Sequence, residues 1–380
     1  FTATRANFTP TGTFYSFYKG NHMLEIYAQR RARLRELIIA EKLAGLLILL
    51  DANRYYLSGF ELHDVQVDES AGCLLIMANG EDWLFTDARY LDTARRLWAE
   101  DCVSIYPSLA GAAAHINEFC KARLGGGRLG FEARQMSVAF HKDLKPGLRL
   151  DARDGLVEEL RIIKDADEIR RMEESAALNH ALMDWAPGIL APGRNEAEVA
   201  WDIERFFRER GATENAFAPI VAVGPNAALP HAIPGETLII DNCPVLIDVG
   251  ARLHDYNSDQ TRTFWVGDTP SPEFTRTMEQ VREAQARAIA GIRPGVSCAE
   301  VYALARDYLD SQNVGQFFTH GLGHGVGLQT HEAPSLGARS KHILKPGMIV
   351  TVEPGLYYPA WGGIRWEYMI LVTEDGHKVL

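Results

Sequence analysis

The second half of the chain carries one pattern twice, and any fold for this sequence has to accommodate the repetition. LAPGRNEAEVAWDIERFFRERG (190–211) resembles IRPGVSCAEVYALARDYLDSQN (292–313) at one constant offset. Each copy has a Pro-Gly turn, then a helix-capping residue (Asn195 or Ser297), then a glutamate three positions later, which is the pattern of a capping box. The repeat predicts a domain with pseudo-twofold symmetry, built from duplicated helix pairs over a sheet. Chance similarity between two capped helices is the alternative.

Length and pattern divide the chain into two domains. A chain of 380 residues is long enough for two domains of ordinary size. Residues 23–155 alternate helical patterns with short apolar strands such as GLLILLD and CLLIMANG. This alternation predicts an α/β domain with a mostly parallel or mixed sheet. A strongly helical stretch, 156–186, begins the second domain, which we place at 156–380.

The first 22 residues differ from the rest of the chain. FTATRANFTPTGTFYSFYKGNH contains no Leu, Ile or Val and shows no hydrophobic periodicity, and it lacks the apolar core of a signal peptide. Met23 is followed at once by a helical pattern (24–42). We therefore expect residues 1–22 to be a leader or an expression-derived addition, and Met23 to be the natural start. A native N-terminal arm is the alternative.

Composition excludes several classes of protein. The net charge of −11 is the opposite of the basic excess typical of duplex-binding proteins, so we expect no nucleic-acid partner. No apolar run reaches the roughly 18 residues that a membrane span needs, so we expect no membrane partner. The five cysteines are widely spaced and never form a CxxC pair. This spacing argues against a disulfide framework or a cysteine zinc site, and it favours the reducing cytoplasm.

Four acidic residues lie within otherwise apolar strand patterns. Asp248 and Asp259 belong to PVLIDVGARLHDYNSDQTRTFWVG, which we interpret as two strands joined by a turn at HDYNS. Glu353 and Glu367 belong to the strand patterns MIVTVE and IRWEYMILV. A carboxylate in such a strand costs several kcal/mol unless it is paired or bound to a metal. Two alternatives stay open, because an aspartate can cap a turn and Arg365 can form a buried ion pair with a glutamate.

A further segment, THGLGHGVGLQTHEAP, interleaves His320, His324 and His331 with glycines. Glycine lets a backbone pass close to a site and adopt positive φ, so the pattern suggests a ligand with hydrogen-bonding partners. Neither HExxH nor GxGxxG is present, and structural histidines are the alternative. Together with the four carboxylates, His324 completes a donor set that suits two divalent ions, Mn, Co, Fe or Zn. Such a set indicates metal-assisted hydrolysis.

Taken in order, these motifs resemble those of the pita-bread metallopeptidases, the family of methionine aminopeptidase, aminopeptidase P and prolidase. The resemblance rests on DVGARLHDYNSDQTRTF, HGLGHGVGLQTHEAP, VTVEPGLYY, GGIRWEYMILV and AFAPIVAVGPNAALPH. NRYYLSGF and LFTDARYL resemble the creatinase/prolidase type of N-terminal domain. The resemblance implies an α/β N-terminal domain (23–155) followed by an α+β pita-bread catalytic domain (156–380) with pseudo-twofold symmetry.

The resemblance also implies roles for individual residues. The metal ligands would be Asp248, Asp259, His324, Glu353 and Glu367. Asp259 and Glu367 would bridge both ions. The catalytic residues would be His231, His331 and Glu353. His331 would stabilise the oxyanion, and Glu353 would carry a proton from water to the leaving nitrogen. The residues that contact substrate would be His231, His320, His331, Tyr357 and Arg365.

One position departs from the pattern of the family. The family usually has an acidic residue directly after the last glutamate, whereas this chain has Tyr368. Strand alternation points Tyr368 away from Glu367, so we expect an indirect effect and no loss of metal. Creatinase-like relatives lose the ligand set, and this chain keeps all of it.

The resemblance favours a prolidase, that is, an Xaa-Pro dipeptidase with two divalent ions, manganese first among them. Aminopeptidase P, which acts on longer Xaa-Pro-Yaa peptides, is the near alternative, and hydrolysis of a non-peptide amide is another. The large N-terminal domain disfavours methionine aminopeptidase. A binding protein without catalysis is the alternative from a different class. Family members are commonly dimeric, so the expected partners are a small peptide substrate and a second copy of the chain.

Overall fold

The computed structural model describes residues 12–64, 66 and 69–380, with the side chains of the first helix described from Leu24 onward. Contacts divide the chain into two compact units, Phe1–Leu160 and Arg161–Leu380. The first helix begins at Gly12, ahead of the start at 24 that the sequence predicts. The predicted leader, 1–22, falls on residues whose side chains, and for 1–11 also the backbone, lie outside the described part.

The N-terminal unit is a sheet flanked by helices. Its strands are β1 (Gly45–Ile48), β2 (Gly72–Met77), β3 (Asp82–Thr86), β4 (Val103–Ile105), β5 (Arg128–Phe131) and β6 (Arg149–Ala152). Its helices are α1 (Gly12–Ala40), α2 (Asp51–Ser58), α3 (Leu91–Leu97), α4 (Ala112–Arg123) and α5 (Val138–Leu144). The strand order is β4-β3-β2-β1-β5-β6. Only β2 runs antiparallel to its neighbours, so the predicted α/β domain with a mixed sheet is confirmed.

Apolar side chains of this sheet and of α4 form the core of the N-terminal unit. Strands β1 and β2 are buried along their whole length. Ile116 and Cys120 of α4 pack with Phe85 and Phe131 of the sheet. Full burial of a side chain such as Ile116 contributes about 2 kcal/mol. All five cysteines of the chain are free thiols, as their spacing predicts.

The C-terminal unit contains two antiparallel ladders and two small sheets. Its helices are α7 (Ala166–Trp185), α8 (Glu196–Glu209), α9 (Pro272–Gly291) and α10 (Cys298–Ser311). The short helix α6 (Glu158–Arg161) precedes them. Its strands are β7 (Glu214–Asn215), β8 (Ile220–Val223), β9 (Cys243–Val249), β10 (Ala251–Leu253), β11 (Tyr256–Asn257), β12 (Gln260–Val266), β13 (Gly323–Gly325), β14 (Glu332–Leu336), β15 (Ile349–Val352), β16 (Gly355–Tyr358), β17 (Gly362–Arg365), β18 (Tyr368–Val372) and β19 (His377–Val379). The ladders are β12-β9-β8 and β14-β13-β15-β18-β19, and the small sheets are β11-β10-β7 and β16-β17.

The repeat in the sequence is also a repeat in the structure. Both capping boxes form: Asn195 with Glu198 starts α8, and Ser297 with Glu300 starts α10. The strands after each helix include three that pair in the same antiparallel order, β8-β9-β12 in the first copy and β13-β15-β18 in the second. The two copies therefore hold equivalent strands at equivalent places, as pseudo-twofold symmetry requires.

The helical stretch predicted at 156–186 is not continuous. Helix α6 ends at Arg161, and α7 begins only at Ala166. Asp165 accepts hydrogen bonds from the backbone of α7, and Glu168 reaches back to the backbone N–H of Asp165. This third capping box starts a new helix, and the helical pattern of the surrounding sequence does not reveal the break. No helix among the described residues is long and apolar enough to cross a membrane.

Two predicted strand boundaries also differ. The chain turns at His254 and Asp255, both with positive φ, so that β10 and β11 form a hairpin between the two predicted strands. The segment IRWEYMILV breaks at Trp366, because Glu367 donates its backbone N–H to the carbonyl oxygen of Thr261. As a result β17 pairs with β16, whereas β18 pairs with β15 in a different sheet.

Candidate metal centre

The repeat delivers the four carboxylates as two equivalent pairs. Asp248 lies in β9 and Glu353 directly follows β15, and these are the middle strands of the two copies. Asp259 directly precedes β12 and Glu367 directly precedes β18, the equivalent return strands. All four line one cavity of about 530 Å³. Each copy of the repeat therefore contributes one acid from its middle strand and one from the start of its return strand.

His324 lies in β13 and faces two of these acids. Its backbone N–H donates to Thr351 Oγ1 over 3.0 Å, and its Nδ1 lies 3.0 Å from the carbonyl oxygen of Gly325. Because a carbonyl only accepts, Nδ1 carries a proton, and the other ring nitrogen, Nε2, is turned toward the acids. Nε2 lies 3.6 Å from Asp259 Oδ2 and 3.3 Å from Glu353 Oε1. Burial alone would lower the pKa of His324, but Glu353 outweighs it and raises this pKa, so Nε2 holds a proton that a metal ion would replace.

The glycines around His324 allow the backbone to pass close to neighbouring backbone atoms, and they are not needed for a positive φ. A Cβ at Gly323 would lie 2.0 Å from the carbonyl oxygen of Thr351, and one at Gly325 would lie 2.1 Å from that of Ala333. None of the four glycines of the segment has positive φ. Of the two predicted roles of these glycines, close approach of the backbone is therefore present and positive φ is not.

The acids fit a divalent cation. Asp259, His324 and Glu367 each offer a ligand atom, and these atoms lie within 4.8 Å of one another. Burial, and then the neighbouring carboxylates, raise the pKa of Asp259 and that of Glu367 well above their usual range. Asp248 Oδ1 and Glu367 Oε1 are buried without a hydrogen-bond partner among the described residues. A bound cation would satisfy these oxygens and favour the charged acids.

Arg365 starts a chain of hydrogen bonds along the wall of the cavity. Its Nη2 donates to Asp248 Oδ2 over 2.5 Å, and its Nη1 donates to the Tyr357 hydroxyl over 2.8 Å. That hydroxyl lies 2.8 Å from His320 Nε2, and His320 Nδ1 lies 2.7 Å from the carbonyl oxygen of Gly321. Nδ1 must therefore donate, which leaves Nε2 to accept from Tyr357. Burial lowers the pKa of His320, in agreement with a neutral ring.

These hydrogen bonds affect two predictions made from the sequence, one for Arg365 and one for Tyr357. Arg365 does form a buried ion pair, but its hydrogen-bonded partner is Asp248 and not a glutamate. One guanidinium cannot neutralise four ionised acids, so the ion pair does not replace a metal as the partner of their charged forms. Tyr357, expected to contact substrate, is 5% exposed and does not line the cavity. Its hydroxyl instead holds His320 and Arg365, and burial raises its pKa to about 12.

Two further histidines of the predicted site line the cavity. His231 and His331 are both exposed and line it. The ring centroids of His331 and His324 are 4.3 Å apart. Burial, and then the charge of His324, lower the pKa of His331, so its ring is neutral near pH 7 and can donate one hydrogen bond. The predicted site residues that line this cavity are His231, Asp248, Asp259, His320, His324, His331, Glu353, Arg365 and Glu367.

Sequence reasoning missed a buried ion cluster next to His331 in the chain. Glu332 pairs with Arg161 and, over 2.7 Å, with Lys164 Nζ. The three side chains are at most 6% exposed. Burial alone would raise the pKa of Glu332, but Lys164 and Arg161 outweigh it and hold this pKa below its usual range. No local pattern reveals the cluster, because the acid and the two bases are far apart in sequence.

Tyr368, the departure noted from the sequence, packs on Arg262. The guanidinium of Arg262 lies 4.2 Å from the ring centroid of Tyr368 and 4.4 Å from that of Trp366. Its Nη1 donates to the carbonyl oxygen of Glu367 over 2.6 Å and to that of Thr261 over 2.8 Å. Thr261 Oγ1 in turn donates to Glu367 Oε2 over 2.7 Å. Arg262 thus contacts both the Tyr368 ring and the backbone of Glu367.

Known proteins share this fold and these motifs. Residues 170–374 match metallopeptidase family M24, and residues 30–163 match the creatinase/prolidase N-terminal domain. The Xaa-Pro dipeptidase of Bacillus anthracis is 35% identical, with a TM-score of 0.86 over 93% of this chain and 97% of that one. The prolidase of Pyrococcus horikoshii OT3 is 31% identical, with a TM-score of 0.84 over 92% and 97%. An uncharacterized peptidase of Bacillus subtilis is 35% identical over 92% of this chain and 96% of its own length.

These similarities confirm the fold expected from the sequence, an α/β N-terminal domain followed by an α+β pita-bread domain with pseudo-twofold symmetry. They cover both units of the chain and the segments that carry the acid cluster. The chain therefore belongs to metallopeptidase family M24, and it is a metallopeptidase that carries a creatinase/prolidase N-terminal domain.

Proposed function

We propose that this metallopeptidase is an Xaa-Pro dipeptidase that works with two divalent metal ions. The observation that carries the proposal is the buried acid cluster, with three ligand atoms within 4.8 Å of one another and two carboxylate oxygens without partners. Buried acids that lack counter-charges are costly, and cations relieve that cost. The names of the similar solved structures, an Xaa-Pro dipeptidase and a prolidase, support the choice of substrate.

The proposed metal ligands are Asp248, Asp259, His324, Glu353 and Glu367. Asp259 and Glu367 would bridge the two ions. Metal ions bound there would polarise the scissile carbonyl and make water a nucleophile at neutral pH. Four oxygen donors to one nitrogen donor favour a hard ion, so we propose manganese, with cobalt, zinc and iron as substitutes.

Glu353 is the residue we propose to move the proton. Its Oε1 lies 3.2 Å from Thr351 Oγ1 and 3.3 Å from His324 Nε2. Burial alone would raise the pKa of Glu353, but His324 outweighs it and lowers this pKa, so the side chain is a carboxylate that can accept a proton. The leaving nitrogen of an Xaa-Pro bond carries no hydrogen and needs a proton as the C–N bond breaks. Glu353 would accept a proton from the attacking water and pass it to that nitrogen.

The histidines would bind and orient the substrate. A neutral His331 would donate a hydrogen bond to the carbonyl oxygen as negative charge develops there, which is where such a donor has its largest effect. His231, on the loop that also lines the cavity, would contact the substrate beside it. His320 would contact the substrate with a ring already fixed by Tyr357 and the Gly321 carbonyl. A fixed ring costs little entropy when the substrate arrives.

Two substrates that differ only in length test the proposal. We expect the enzyme, freed of metal by chelation and resupplied with Mn²⁺, to release proline from Ala-Pro and to leave Ala-Pro-Ala intact. Free proline and free alanine are measured side by side. The chelated enzyme without Mn²⁺ is the control, and we expect it to be inactive.

Each other outcome overturns a different part of the proposal. Alanine release from Ala-Pro-Ala would make the chain an aminopeptidase P. Hydrolysis that survives chelation would remove the metal from the mechanism. No hydrolysis of either peptide, with metal bound, would point to a non-peptide amide.

We also propose that the enzyme works in the cytoplasm as a homodimer. Five free thiols suit a reducing compartment. The dimer is carried over from the family resemblance, and light scattering of the full chain tests it: a mass of one chain would contradict it.

A further inference from the structure

One buried side chain contacts the backbone beside both glutamates of the acid cluster. Gln285 lies in α9 and is 4% exposed. Its Nε2 donates to the carbonyl oxygen of Val352 over 2.8 Å and to that of Trp366 over 2.8 Å. Val352 directly precedes Glu353, and Trp366 directly precedes Glu367. A single amide nitrogen therefore connects the two chain segments that carry these proposed metal ligands.

Strand pairing does not extend to the two glutamates themselves. The pairing of β15 with β18 stops one residue short of each of them. The backbone N–H of Glu353 donates to the carbonyl oxygen of Leu322 over 2.8 Å. That of Glu367 donates to the carbonyl oxygen of Thr261 over 3.2 Å. Gln285 thus joins the two segments at the place where the ladder between them ends.

A side-chain amide suits this place. Its nitrogen carries two N–H groups in one plane, so it can donate to two acceptors at once. When both hydrogen bonds form, the separation of the two acceptors is fixed. Buried polar groups are normally hydrogen-bonded, so the buried amide favours keeping both contacts. The spacing of the glutamates matters because two metal ions that share ligands lie only about 3.5–4 Å apart.

The other copy of the repeat has an equivalent amide. Asn179 of α7 and Gln285 of α9 are each the fourteenth residue of a helix of 20 residues. Asn179 is 1% exposed, and its Nδ2 donates to the carbonyl oxygen of Val249 over 3.2 Å. Its Oδ1 accepts from the backbone N–H of Ala251 over 3.2 Å. Val249 directly follows Asp248, so this amide also holds the backbone beside a proposed ligand.

Helix α7 also reaches the second acid of its copy. One turn before Asn179, the buried Ser175 places its Oγ 3.0 Å from Ser258 Oγ. Ser258 directly precedes Asp259. The helices α7 and α9 therefore each contact residues next to both acids of their own copy.

We infer that Gln285 is a positioning residue that fixes the separation of Glu353 and Glu367. It does not line the cavity, so it acts through the backbone of the two glutamates. This role rests on the proposed metal centre, and it adds to that centre a residue outside the ligand set. Without the amide, both glutamates remain but their spacing is no longer fixed, so the metal ions bind more weakly.

Metal binding by the full-length enzyme tests this role without a peptide substrate. Gln285→Met keeps a side chain of similar length and removes the donor. We expect the Kd for Mn²⁺, measured by calorimetric titration of the chelated enzyme, to rise about tenfold or more, as for loss of a partner that orients metal ligands. We also expect the visible absorption bands of the Co²⁺-loaded enzyme to shift, because such bands report the geometry of the ligands.

Two variants of the same helix are the controls. Gln280→Met makes the same exchange at a residue that lines a separate pocket and not the metal cavity. Val281→Ala removes packing from the buried face of α9 and should lower stability, but it takes no hydrogen bond from the glutamate segments. We expect both variants to keep the wild-type Kd for Mn²⁺ and the wild-type Co²⁺ bands.

The outcomes separate this role from the proposed function. Wild-type Kd and bands in Gln285→Met would overturn the role of Gln285 and leave the metal centre in place. Equal weakening in Val281→Ala would also overturn it, because lost stability would then explain the effect. A wild type that binds no Mn²⁺ would overturn the proposed function, and this role with it.

A second variant covers the case that Gln285→Met does not fold. Gln285→Asn keeps the amide on a side chain that is shorter by one methylene group, so its nitrogen cannot reach both carbonyl oxygens. We expect a raised Kd for Mn²⁺ here too, and an unchanged Kd would contradict the positioning role.

Discussion

Arg262 shows how one residue can support a metal ligand without lining the cavity. It is 6% exposed, lies between the rings of Trp366 and Tyr368, and donates to the carbonyl oxygen of Glu367. Arginine suits this place because its planar guanidinium stacks on rings while its edge donates hydrogen bonds. A tyrosine after the last glutamate is therefore compatible with a working site.

The variant Arg262→Met keeps an apolar side chain but removes the donor. We expect it to lower the free energy of unfolding by about 2 kcal/mol, because the Glu367 carbonyl loses its partner in a buried place. We also expect a lower kcat on Ala-Pro, because Glu367 shifts. Tyr368→Phe keeps the ring over Arg262 and serves as the control, with a change in stability within about 0.5 kcal/mol. Wild-type stability and kcat in Arg262→Met would refute this role of Arg262.

Among the elements, β14 is held by side chains that are far away in the sequence. It begins at Glu332, directly after His331, and Glu332 is held by Arg161 of α6 and by Lys164. Arg161 and Lys164 precede α7, so the cluster fixes the start of β14 to the segment between two helices. A displaced β14 would displace His331 with it.

Glu332→Gln should therefore be costly at neutral pH and much less costly in acid. Removing one partner of a buried ion cluster costs about 3–5 kcal/mol. The pKa of Glu332 is lowered in the folded protein, so its contribution to stability is present above the unfolded value of about 4.3 and is lost as the pH falls through the folded value. We expect urea unfolding to show the full difference between variant and wild type at pH 7 and a clearly smaller one below pH 4.

The control for this prediction is Glu283→Gln. Glu283 pairs with Arg287 on the exposed face of α9, where both side chains are about half exposed. An exposed pair contributes little, so the change should stay within about 0.5 kcal/mol at either pH. A cost for Glu332→Gln that does not depend on pH would contradict the assigned ion cluster.

Over the whole molecule, the sequence predicts the features that local patterns encode. The capping boxes at Asn195 and Ser297 reveal the repeat, and apolar strands interrupted by acids reveal Asp248 and Glu367 as residues that need a partner. Those signals suffice for the fold class and for a buried acid cluster. The assignment of individual roles rests on the resemblance to the family, because burial alone does not distinguish a bridging ligand from a terminal one.

Features that depend on long-range contacts are not predictable in this way. The strand break at Trp366 follows from a hydrogen bond between Glu367 and Thr261, which are distant in sequence. The choice of Asp248 as the partner of Arg365 follows from the packing of β9 against β17. In each case a neighbour far along the chain decides the outcome.

We propose that the acid cluster holds a pair of metal ions. The most direct measurement is the number of Mn²⁺ ions bound per chain, determined by mass spectrometry of the metal after chelation, resupply and dialysis. On this proposal we expect about two ions per chain for the wild type and fewer than one for Asp259→Asn, which loses a proposed bridging carboxylate. No bound manganese in the wild type, or the same number of ions in both proteins, would contradict it.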